Sequence, residues 1–204
     1  LKFDKRKVFE SSKFCKNANY EIEIDIKEIL LAENITYNVP INILSFDLET
    51  YSDNFNSSKP LPSSILNEII NIGMIINNPI DKKILLHTGV KLKNHTYDYL
   101  EYCVNEREML TKFFEIIIEN NIECIIGWNT RDFDWNYVIQ RCNVHNINFF
   151  DKKNSFINGF LPKVKQKRQK KSDLQKNIHI HFPGIIDIDL YLYVKSNYNF
   201  SDNK

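Results

Sequence analysis

The sequence predicts an α/β domain built on a mixed β-sheet, and three observations support this fold class. Apolar and polar residues alternate over residues 20–26 and 41–50, which is the period-two pattern of a half-buried strand. Helical spacing of apolar residues replaces this pattern over residues 105–120. Strand-like and helix-like segments then alternate, and such alternation is typical of a sheet flanked by helices.

The composition excludes several classes of protein. The 204 residues are 43% hydrophobic and 26% charged, which is ordinary for a globular domain. Because 27 Lys and Arg nearly balance 26 Asp and Glu, the net charge does not by itself indicate a nucleic-acid or membrane partner. No apolar run reaches the roughly 18 residues of a membrane-spanning helix, and the first residues lack the apolar segment of a signal peptide. We therefore expect no membrane partner.

Four cysteines are scattered along the chain without any Cys-x-x-Cys pair. A domain of this length does not need disulfides for stability, so we expect reduced, buried thiols and an intracellular, reducing location. The four residues are Cys15, Cys103, Cys124 and Cys142.

Strands are predicted where period-two alternation or a short apolar run lies between polar segments. In the strand at 41–50, Leu44, Phe46 and Leu48 share one face, and the polar residues between them share the other. The segment 77–83 contains a proline and is predicted to be a turn. The predicted strands cover residues 20–26, 41–50, 66–76, 84–92, 123–127 and 178–182.

Three helices are predicted. In the clearest, at 105–120, Glu106 and Glu108 lie in the first turn, where the helix dipole favours acidic residues. We expect Asp132 to cap a second helix, and a third helix is predicted at 187–198. The apolar stripe of the first helix consists of Met109, Leu110, Phe113, Phe114 and Ile117.

The segment 160–177 has no periodicity and is predicted to be an exposed loop. Residues 163–171 are rich in Lys and Arg, and such a run is usually a solvated face, although it can also contact DNA phosphates. His179 and His181 share one face of the next strand, a geometry that can bind Zn²⁺. Because no third ligand is nearby, we expect them to be ordinary strand residues.

Asp47 and Glu49 are candidate metal ligands. Because they are two residues apart on a strand, their side chains project from the same face, with Cα atoms about 6.6–7 Å apart. Carboxylate oxygens suit hard cations such as Mg²⁺ and Mn²⁺, and two such ions about 3.5–4 Å apart can clamp the oxygens of a phosphodiester during hydrolysis. An Asp-x-Glu pair is also common on solvated strand faces, so the pattern alone leaves both interpretations open.

Asp134 is a third candidate, expected in the first turn of the helix that follows the strand ending at Gly127. An acidic residue there can simply complement the helix dipole, or it can be a metal-directed carboxylate at a strand-to-helix junction. Trp128 and Trp135 flank this position. We expect them to pack in the core rather than to stack on an unpaired base.

These segments resemble a known family. SFDLET (45–50) resembles the first exonuclease motif of the family B DNA polymerases, and IIGWNTRDFDWNYVIQRC (125–142) resembles the second. Trp128 stands where Tyr is usual in the family, and Asp132 where Asn is common. Weaker similarity covers residues 19–26, 71–74, 106–110 and 183–191, with Asp189 at a family Asp position. The matching residues of the second motif are Gly127, Asn129, Phe133, Asp134, Tyr137 and Arg141.

The resemblance implies a ribonuclease-H-like fold and a 3′→5′ proofreading exonuclease that uses two divalent cations, Mg²⁺ or Mn²⁺. It implies that Asp47, Glu49 and Asp134 are the catalytic metal ligands. It also implies that Asn129 and Phe133 shape the groove for the 3′-terminal nucleotides. The parent protein would bind the primer 3′ end of DNA and extend it from dNTPs. It would act with processivity and accessory subunits, in the nucleus or a viral replication compartment.

The family's third motif, Tyr-x3-Asp, supplies a fourth carboxylate. Tyr198 and Asp202 have this spacing but follow the preceding match too closely, so we expect the true motif further on. The chain is therefore expected to be a fragment, truncated on its C-terminal side and inactive or weakly active in isolation. Residues 1–40 would end a preceding domain and provide a lead-in strand, and 41–204 would be an incomplete exonuclease domain with a basic insertion at about 160–177.

Two other functions stay open. One is a catalytically silent exonuclease-like module that only binds DNA or scaffolds a polymerase, against which the intact Asp47–Glu49 pair argues. The other is a stand-alone exonuclease of the four-carboxylate DEDD type, acting on DNA or RNA. That enzyme would need Asp202 as its fourth ligand.

Overall fold

The computed structural model describes nine stretches of the chain, and all structural statements below concern them. None of the helices within these stretches is long and apolar enough to cross a membrane. The stretches are residues 8–10, 20–22, 40–52, 66–78, 80–89, 97–148, 163–166, 178–182 and 184–198.

Strands and helices alternate through most of the described chain. The strands are β1 (Val8–Glu10), β2 (Tyr20–Ile22), β3 (Ile43–Thr50), β4 (Ile69–Asn78), β5 (Ile80–His87), β6 (Leu100–Tyr102), β7 (Cys124–Gly127), β8 (Lys163–Gln166), β9 (Ile178–His181) and β10 (Ile186–Asp189). The helices are α1 (Glu106–Glu119), α2 (Asp134–Val144) and α3 (Leu190–Asn197).

A six-stranded sheet with the order β10-β7-β3-β4-β5-β6 forms the centre of the fold. Strand β4 runs antiparallel to both of its neighbours, and the remaining neighbouring pairs are parallel. Two antiparallel pairs, β1–β2 and β8–β9, lie outside this sheet. The sheet is therefore mixed, as the sequence predicts.

Helices α1 and α2 cover one face of this sheet. Leu44, Phe46 and Leu48 of β3 belong to one buried cluster with the apolar residues of both helices. The Phe46 ring lies 5.2 Å from Phe113 of α1 and 4.9 Å from Trp135 of α2, measured between centroids. Such tilted aromatic contacts add to the free energy of apolar burial. The opposite face of β3 is exposed, so one side of the central strand is left for solvent or ligands.

Helix α1 agrees with its prediction, and its cap explains where it begins. The Asn105 side chain accepts a hydrogen bond from the Glu108 backbone N–H at 2.9 Å, which satisfies one of the free donors at the helix start. The predicted strands at 41–50, 123–127 and 178–182 are also confirmed to within a few residues.

Several predicted elements were wrong in type or extent. Residues 77, 78 and 80–83 belong to strands, and Asn78 pairs with Ile80. Most of the predicted turn at 77–83 therefore belongs to the antiparallel pair of β4 and β5. Residues 187–189 form a strand beside β7 because their alternation is period-two, and the helix begins only at Leu190. Asp132 does not cap α2, whose N-cap is Phe133 without a side-chain hydrogen bond. Strand β6 was not predicted, since its three residues show no alternation.

The predicted basic loop at 160–177 is partly wrong. Residues 163–166 form β8, which pairs antiparallel with β9, so that Lys163 is opposite His181 and Lys165 is opposite His179. Residues 167–177 lie outside the described residues, as do the histidine side chains.

Three of the four cysteines are free and buried, as expected: Cys103, Cys124 and Cys142. Burial, the largest cause in each case, raises the pKa of all three thiols. Cys15 lies outside the described residues.

A buried ion pair ties both helices to the sheet. Arg141 of α2 donates from Nε to Glu106 Oε1 at 2.7 Å, and a second guanidinium nitrogen bonds Oε2. The Ile69 backbone N–H at the start of β4 donates to Glu106 at 2.8 Å, and His145 also contacts this carboxylate. Burial alone would raise the pKa of Glu106, but the hydrogen bonds from Arg141, Ile69 and His145 outweigh it and lower that pKa.

Glu106→Gln is expected to lower the free energy of unfolding by about 3–5 kcal/mol, because the Arg141 guanidinium stays buried without its counter-charge. Urea denaturation at pH 7 measures this loss. Glu119→Gln, an exposed change at the end of the same helix, should change the free energy by less than about 0.5 kcal/mol. Equal losses in the two variants would contradict the assignment.

The same pair should make the native fold sensitive to acid. Because the pKa of Glu106 is lower in the folded chain than the ordinary value of 4.5, the stability it contributes is present above that value. This stability is lost as the pH falls through the lowered pKa. Urea titrations between pH 7 and pH 3 should therefore show a smaller acid loss in Glu106→Gln than in the unaltered chain.

Candidate active site

The candidate site lies where two parallel strands separate. Strand β3 pairs with β7 only from Ile43 to Ser45, and β3 then continues alone on that side to Thr50. Strand β7 ends at Gly127, and the chain turns into α2. In open α/β sheets ligands bind in crevices at the carboxyl ends of strands. The candidate site lies at such a position, where β7 ends beside β3.

Gly127 permits this sharp turn. A Cβ atom at this position would lie 2.2 Å from Thr130 Cγ2 and 3.3 Å from the Phe46 carbonyl oxygen. Any side chain would therefore push the loop away from β3. Asn129, two residues later, has a positive φ of 60°, a conformation that Asn tolerates better than most residues. The loop thus depends on both residue types.

Asp47 and Glu49 lie on the exposed face of β3, as predicted. Asp47 is opposite Gly73 of β4, so no side chain crowds the carboxylate from that position. A groove of about 610 Å³ opens beside Asp47, and Lys83, Tyr99 and Trp128 contribute to its wall. The groove combines a carboxylate, a cation and aromatic surface on the open face of the sheet.

Asp134 lies in the first turn of α2 and is only 2% exposed. Within the described part of the chain, its Oδ1 atom is buried and makes no hydrogen bond. Burial, followed by the charge of Asp47, raises the pKa of Asp134 to about 7, and Asp189 adds to this effect. Backbone hydrogen bonds at Asp134 and Leu48 oppose the rise. Asp134 is therefore a buried carboxyl group that lies close enough to Asp47 to be influenced by its charge.

The structure thus brings Asp47 and Asp134 near each other but does not close the predicted ligand set. Glu49 shares the exposed face of Asp47. Among the described residues, no three His, Cys, Asp or Glu side chains are arranged to hold a metal ion. The donors nevertheless suit Mg²⁺ or Mn²⁺, because they are hard oxygens and one of them is buried without a partner.

The two candidate substrate-binding residues occupy different environments. Asn129 is half-buried in the loop, and its backbone N–H donates to Asp189 Oδ1 at 3.0 Å. Phe133 packs against the hydrophobic core, with its ring 5.5 Å from Tyr137. Phe133 directly precedes Asp134 in the chain, whereas Asn129 lies five residues before it, and the contacts of both residues with DNA stay a prediction. Asp202, the alternative fourth carboxylate, lies outside the described residues.

The two tryptophans behave differently. Trp135 is buried among Phe46, Phe113 and Phe182, as expected for a core residue. Trp128 is 58% exposed, so the expectation that it packs in the core was wrong. It lies in the loop after β7, beside the groove.

Two carboxylates of β10, Asp187 and Asp189, were not predicted to have a role in the site. Asp187 accepts hydrogen bonds from Arg131 Nε at 3.1 Å and from Trp135 Nε1 at 3.2 Å. Asp189 accepts from the backbone N–H groups of Asn129 and Arg131 at 3.0 and 3.1 Å. The sequence signal was the spacing of Asp187 and Asp189, two acidic residues separated by one apolar residue, as at Asp47 and Glu49. This signal was missed because residues 187–198 were predicted to form a helix.

Asp189 also caps α3, since it accepts from the backbone N–H groups of Tyr191 and Leu192. A single buried carboxylate therefore holds the loop that leads to Asp134 and the start of the next helix. Bonds from backbone N–H groups to a carboxylate are among the stronger hydrogen bonds in proteins.

Comparison with known proteins gives consistent results. The family model for the family B DNA polymerase exonuclease domain matches residues 2–204. The DNA polymerase catalytic subunit of Alcelaphine herpesvirus 1 (strain C500) is 30% identical over 172 residues, which are 80% of this chain and 16% of that protein. That of Equine herpesvirus 2 (strain 86/87) is 24% identical over 168 residues, with the same two shares. The chain thus spans only 16% of the length of these relatives.

Among solved structures, the family B DNA polymerase from the archaeon Pyrobaculum calidifontis is similar, with a TM-score of 0.53 and 17% identity. The match covers 80% of this chain and 17% of that one. At this identity the likeness concerns the fold alone. It confirms the predicted α/β fold class, and the mixed sheet with flanking helices is consistent with a ribonuclease-H-like exonuclease fold.

Asp134→Asn is expected to raise the melting temperature in metal-free buffer at pH 8. A rise in pKa from 3.8 to about 7 corresponds to a cost of at most about 4 kcal/mol for the ionised group at that pH. Because the folded pKa is raised, the contribution of Asp134 to the stability of the unaltered chain falls as the pH rises from 4 to 7, whereas the variant lacks this contribution. Thermal unfolding in EDTA measures both.

The matched control for this change is Asp132→Asn, an exposed neighbour, which should differ from the unaltered chain by the same small amount at pH 4 and pH 8. An Asp134→Asn variant that melts below the unaltered chain at pH 8 in EDTA would contradict the expectation.

Asp189→Ala is expected to loosen the loop after β7. The amide protons of Asn129 and Arg131 lose their acceptor, so their hydrogen exchange should become at least tenfold faster, as for a lost hydrogen bond of about 1.5–3 kcal/mol. The hydrogen-exchange rates of the β4 amides, measured by NMR in the same experiment, should stay unchanged. Acceleration of both regions alike would indicate general unfolding and would argue against a local role.

Proposed function

Since the chain belongs to the exonuclease-domain family of the family B DNA polymerases, we propose that it removes nucleotides from the 3′ end of DNA as part of a longer polymerase. The similar herpesvirus proteins are named DNA polymerase catalytic subunits. The chain spans only a small part of these proteins, so we also propose, for the longer polymerase, the wider activity of a DNA polymerase. It includes extension of primers from dNTPs and action with processivity and accessory subunits in the nucleus or a viral replication compartment.

The observation that carries this proposal is the pairing of Asp134 with Asp47. A buried carboxyl group with one oxygen that makes no hydrogen bond, influenced by the charge of a second carboxylate, is unfavourable for folding. Such an arrangement is typical of functional sites, where perturbed carboxyl pKa values cluster in crevices. Here the crevice lies beside an open groove with aromatic walls.

Asp47, Glu49 and Asp134 would hold the divalent cations. When bound, such ions supply a hydroxide-like nucleophile at neutral pH and neutralise the charge that develops on the phosphate. Asp134 would favour cation binding, because a positive charge relieves the cost of its ionised form. The pKa of this residue would then fall, so cation binding would release a proton near neutral pH.

The other residues of the site would bind and orient the substrate. Lys83 in the groove wall can offset the negative charge of a phosphate, and Trp128 and Tyr99 offer apolar surface to a base. We propose that Asn129 and Phe133, placed by the loop and first turn of α2, shape the pocket for the terminal nucleotides. No nucleophilic side chain is required, since water is the attacking group in such hydrolysis.

A second candidate function is DNA binding without hydrolysis. One observation favours it, which is that the described carboxylates do not form a three-ligand cluster. In that case Glu49 and a further carboxylate would not join Asp47 and Asp134 in a complete set of metal ligands. The groove would then hold a DNA strand without cleaving it.

Asp47→Ala in the full-length protein is expected to reduce metal-dependent release of a 3′-labelled nucleotide from single-stranded DNA by at least about 10²-fold, as for loss of a ligand or its support. Asp132→Ala, an exposed carboxylate close in sequence to Asp134, should retain the rate. A retained rate in Asp47→Ala would exclude the proposed site. Binding of the labelled DNA by the unaltered protein without release, at saturating Mg²⁺ or Mn²⁺, would support the second candidate.

A further inference from the structure

We propose that the exposed ring of Trp128 and the half-buried ring of Tyr191, together with the Lys195 ammonium group, form a second contact site for single-stranded DNA. We call these three residues the aromatic strip. It would bind the nucleotides that precede the terminal one. This inference rests on the proposed function, because it assumes that the groove beside Asp47 receives a DNA strand.

The ring of Trp128 is fixed but not covered. Tyr191 of α3 meets it in an edge contact, with centroids 5.6 Å apart and planes inclined by 68°. An edge-to-face contact restricts the orientation of the indole and leaves at least one of its two faces free of the Tyr191 ring. With more than half of its surface exposed, Trp128 offers a preformed platform on which an unpaired base can stack. Every base has a π face, so this contact does not depend on sequence.

A cation lies next to this platform. The Lys195 ammonium nitrogen is 5.5 Å from the centre of the Tyr191 ring. Lys195 follows Tyr191 by one helical turn, so the two side chains lie on the same stripe of α3. The arrangement places a positive charge beside the aromatic surface, which is what a stacked base and its neighbouring phosphate require.

The aromatic strip is continuous with the candidate active site. Trp128 contributes to the wall of the groove that contains Asp47, and so does Leu190, the first residue of α3. A strand that leaves this groove on that side would pass over Trp128 and then along α3. No residue of α3 with described burial is fully buried, so this side of the helix is accessible in the described structure.

The polar bonds of Asp189 hold the strip in place. Asp189 accepts from the Asn129 backbone, next to Trp128, and from the backbone of Tyr191 itself. The backbone next to Trp128 and the backbone of Tyr191 are therefore bonded to the same carboxylate. Such preorganisation lowers the conformational entropy lost on binding.

The test measures binding of 5′-fluorescein-labelled decathymidylate to the 204-residue chain in EDTA, by fluorescence anisotropy. Trp128→Ala and Tyr191→Ala should each weaken binding at least about fivefold, as expected for the loss of one stacked base. Lys195→Gln should lower the slope of log Kd against log salt by about 0.7, as for one phosphate contact to a single strand.

Tyr193→Ala is the matched control. Tyr193 is an exposed tyrosine on the same helix, 57% exposed, but it lies two residues from Tyr191 and hence on a different side. It should bind the oligonucleotide like the unaltered chain. Melting temperatures of all variants show whether they fold. If Tyr191→Ala does not fold, Lys195→Gln still tests the inference, because it changes only an exposed side chain.

The outcomes separate this inference from the proposed function. Kd values for the strip variants equal to that of Tyr193→Ala would overturn the inference. In the full-length protein, the same variants could have lower melting temperatures but an unchanged Kd for the oligonucleotide. That result would show that another part of the polypeptide covers α3, and it would also overturn the inference. Hydrolysis of the p-nitrophenyl ester of thymidine 5′-monophosphate by the unaltered full-length protein tests the nuclease function without involving the strip.

Discussion

The buried carboxylate of Glu106 is the interaction on which the arrangement of the layers depends. It accepts hydrogen bonds from Arg141 of α2 and from the backbone at the start of β4, while Glu106 itself begins α1. Both members of the ion pair are almost completely excluded from water. Their attraction offsets a large desolvation cost only if the geometry is kept. The two helices therefore cannot shift relative to the sheet without breaking this pair.

The position of α2 matters because this helix carries Asp134. Phe46 of β3 and Phe113 of α1 contact Trp135, the residue next to Asp134, so apolar contacts fix the helix start laterally. Asp187 and Asp189 then hold the preceding loop through Arg131 and backbone N–H groups. The apolar core, the buried ion pair and the hydrogen bonds of the loop thus all help to fix the position of Asp134. Each of these supports uses a different kind of interaction.

Burial of Asp134 has two opposite consequences. It disfavours the ionised form, which destabilises the fold above neutral pH in the absence of a cation. It also leaves the buried Oδ1 atom without a hydrogen bond within the described structure. Under the proposed function, activity and stability compete at this residue, and the surrounding contacts of α2 supply the stability that such a group consumes.

The sequence by itself determined the strand at Ile43–Thr50, the helix at Glu106–Glu119 and the pairing of Asp47 with Glu49 on one exposed face, since each depends on local periodicity. The motifs around Asp47 and Asp134, together with the weaker matches in order along the chain, indicated the family. Only the tertiary structure decided that β3 and β7 separate beyond Ser45, that Glu106 meets Arg141, and that Asp187 and Asp189 hold the loop. The physical reason is that these contacts join residues far apart in the chain. An acidic residue bonded to a distant partner has the same local pattern as one that merely caps a helix or faces water.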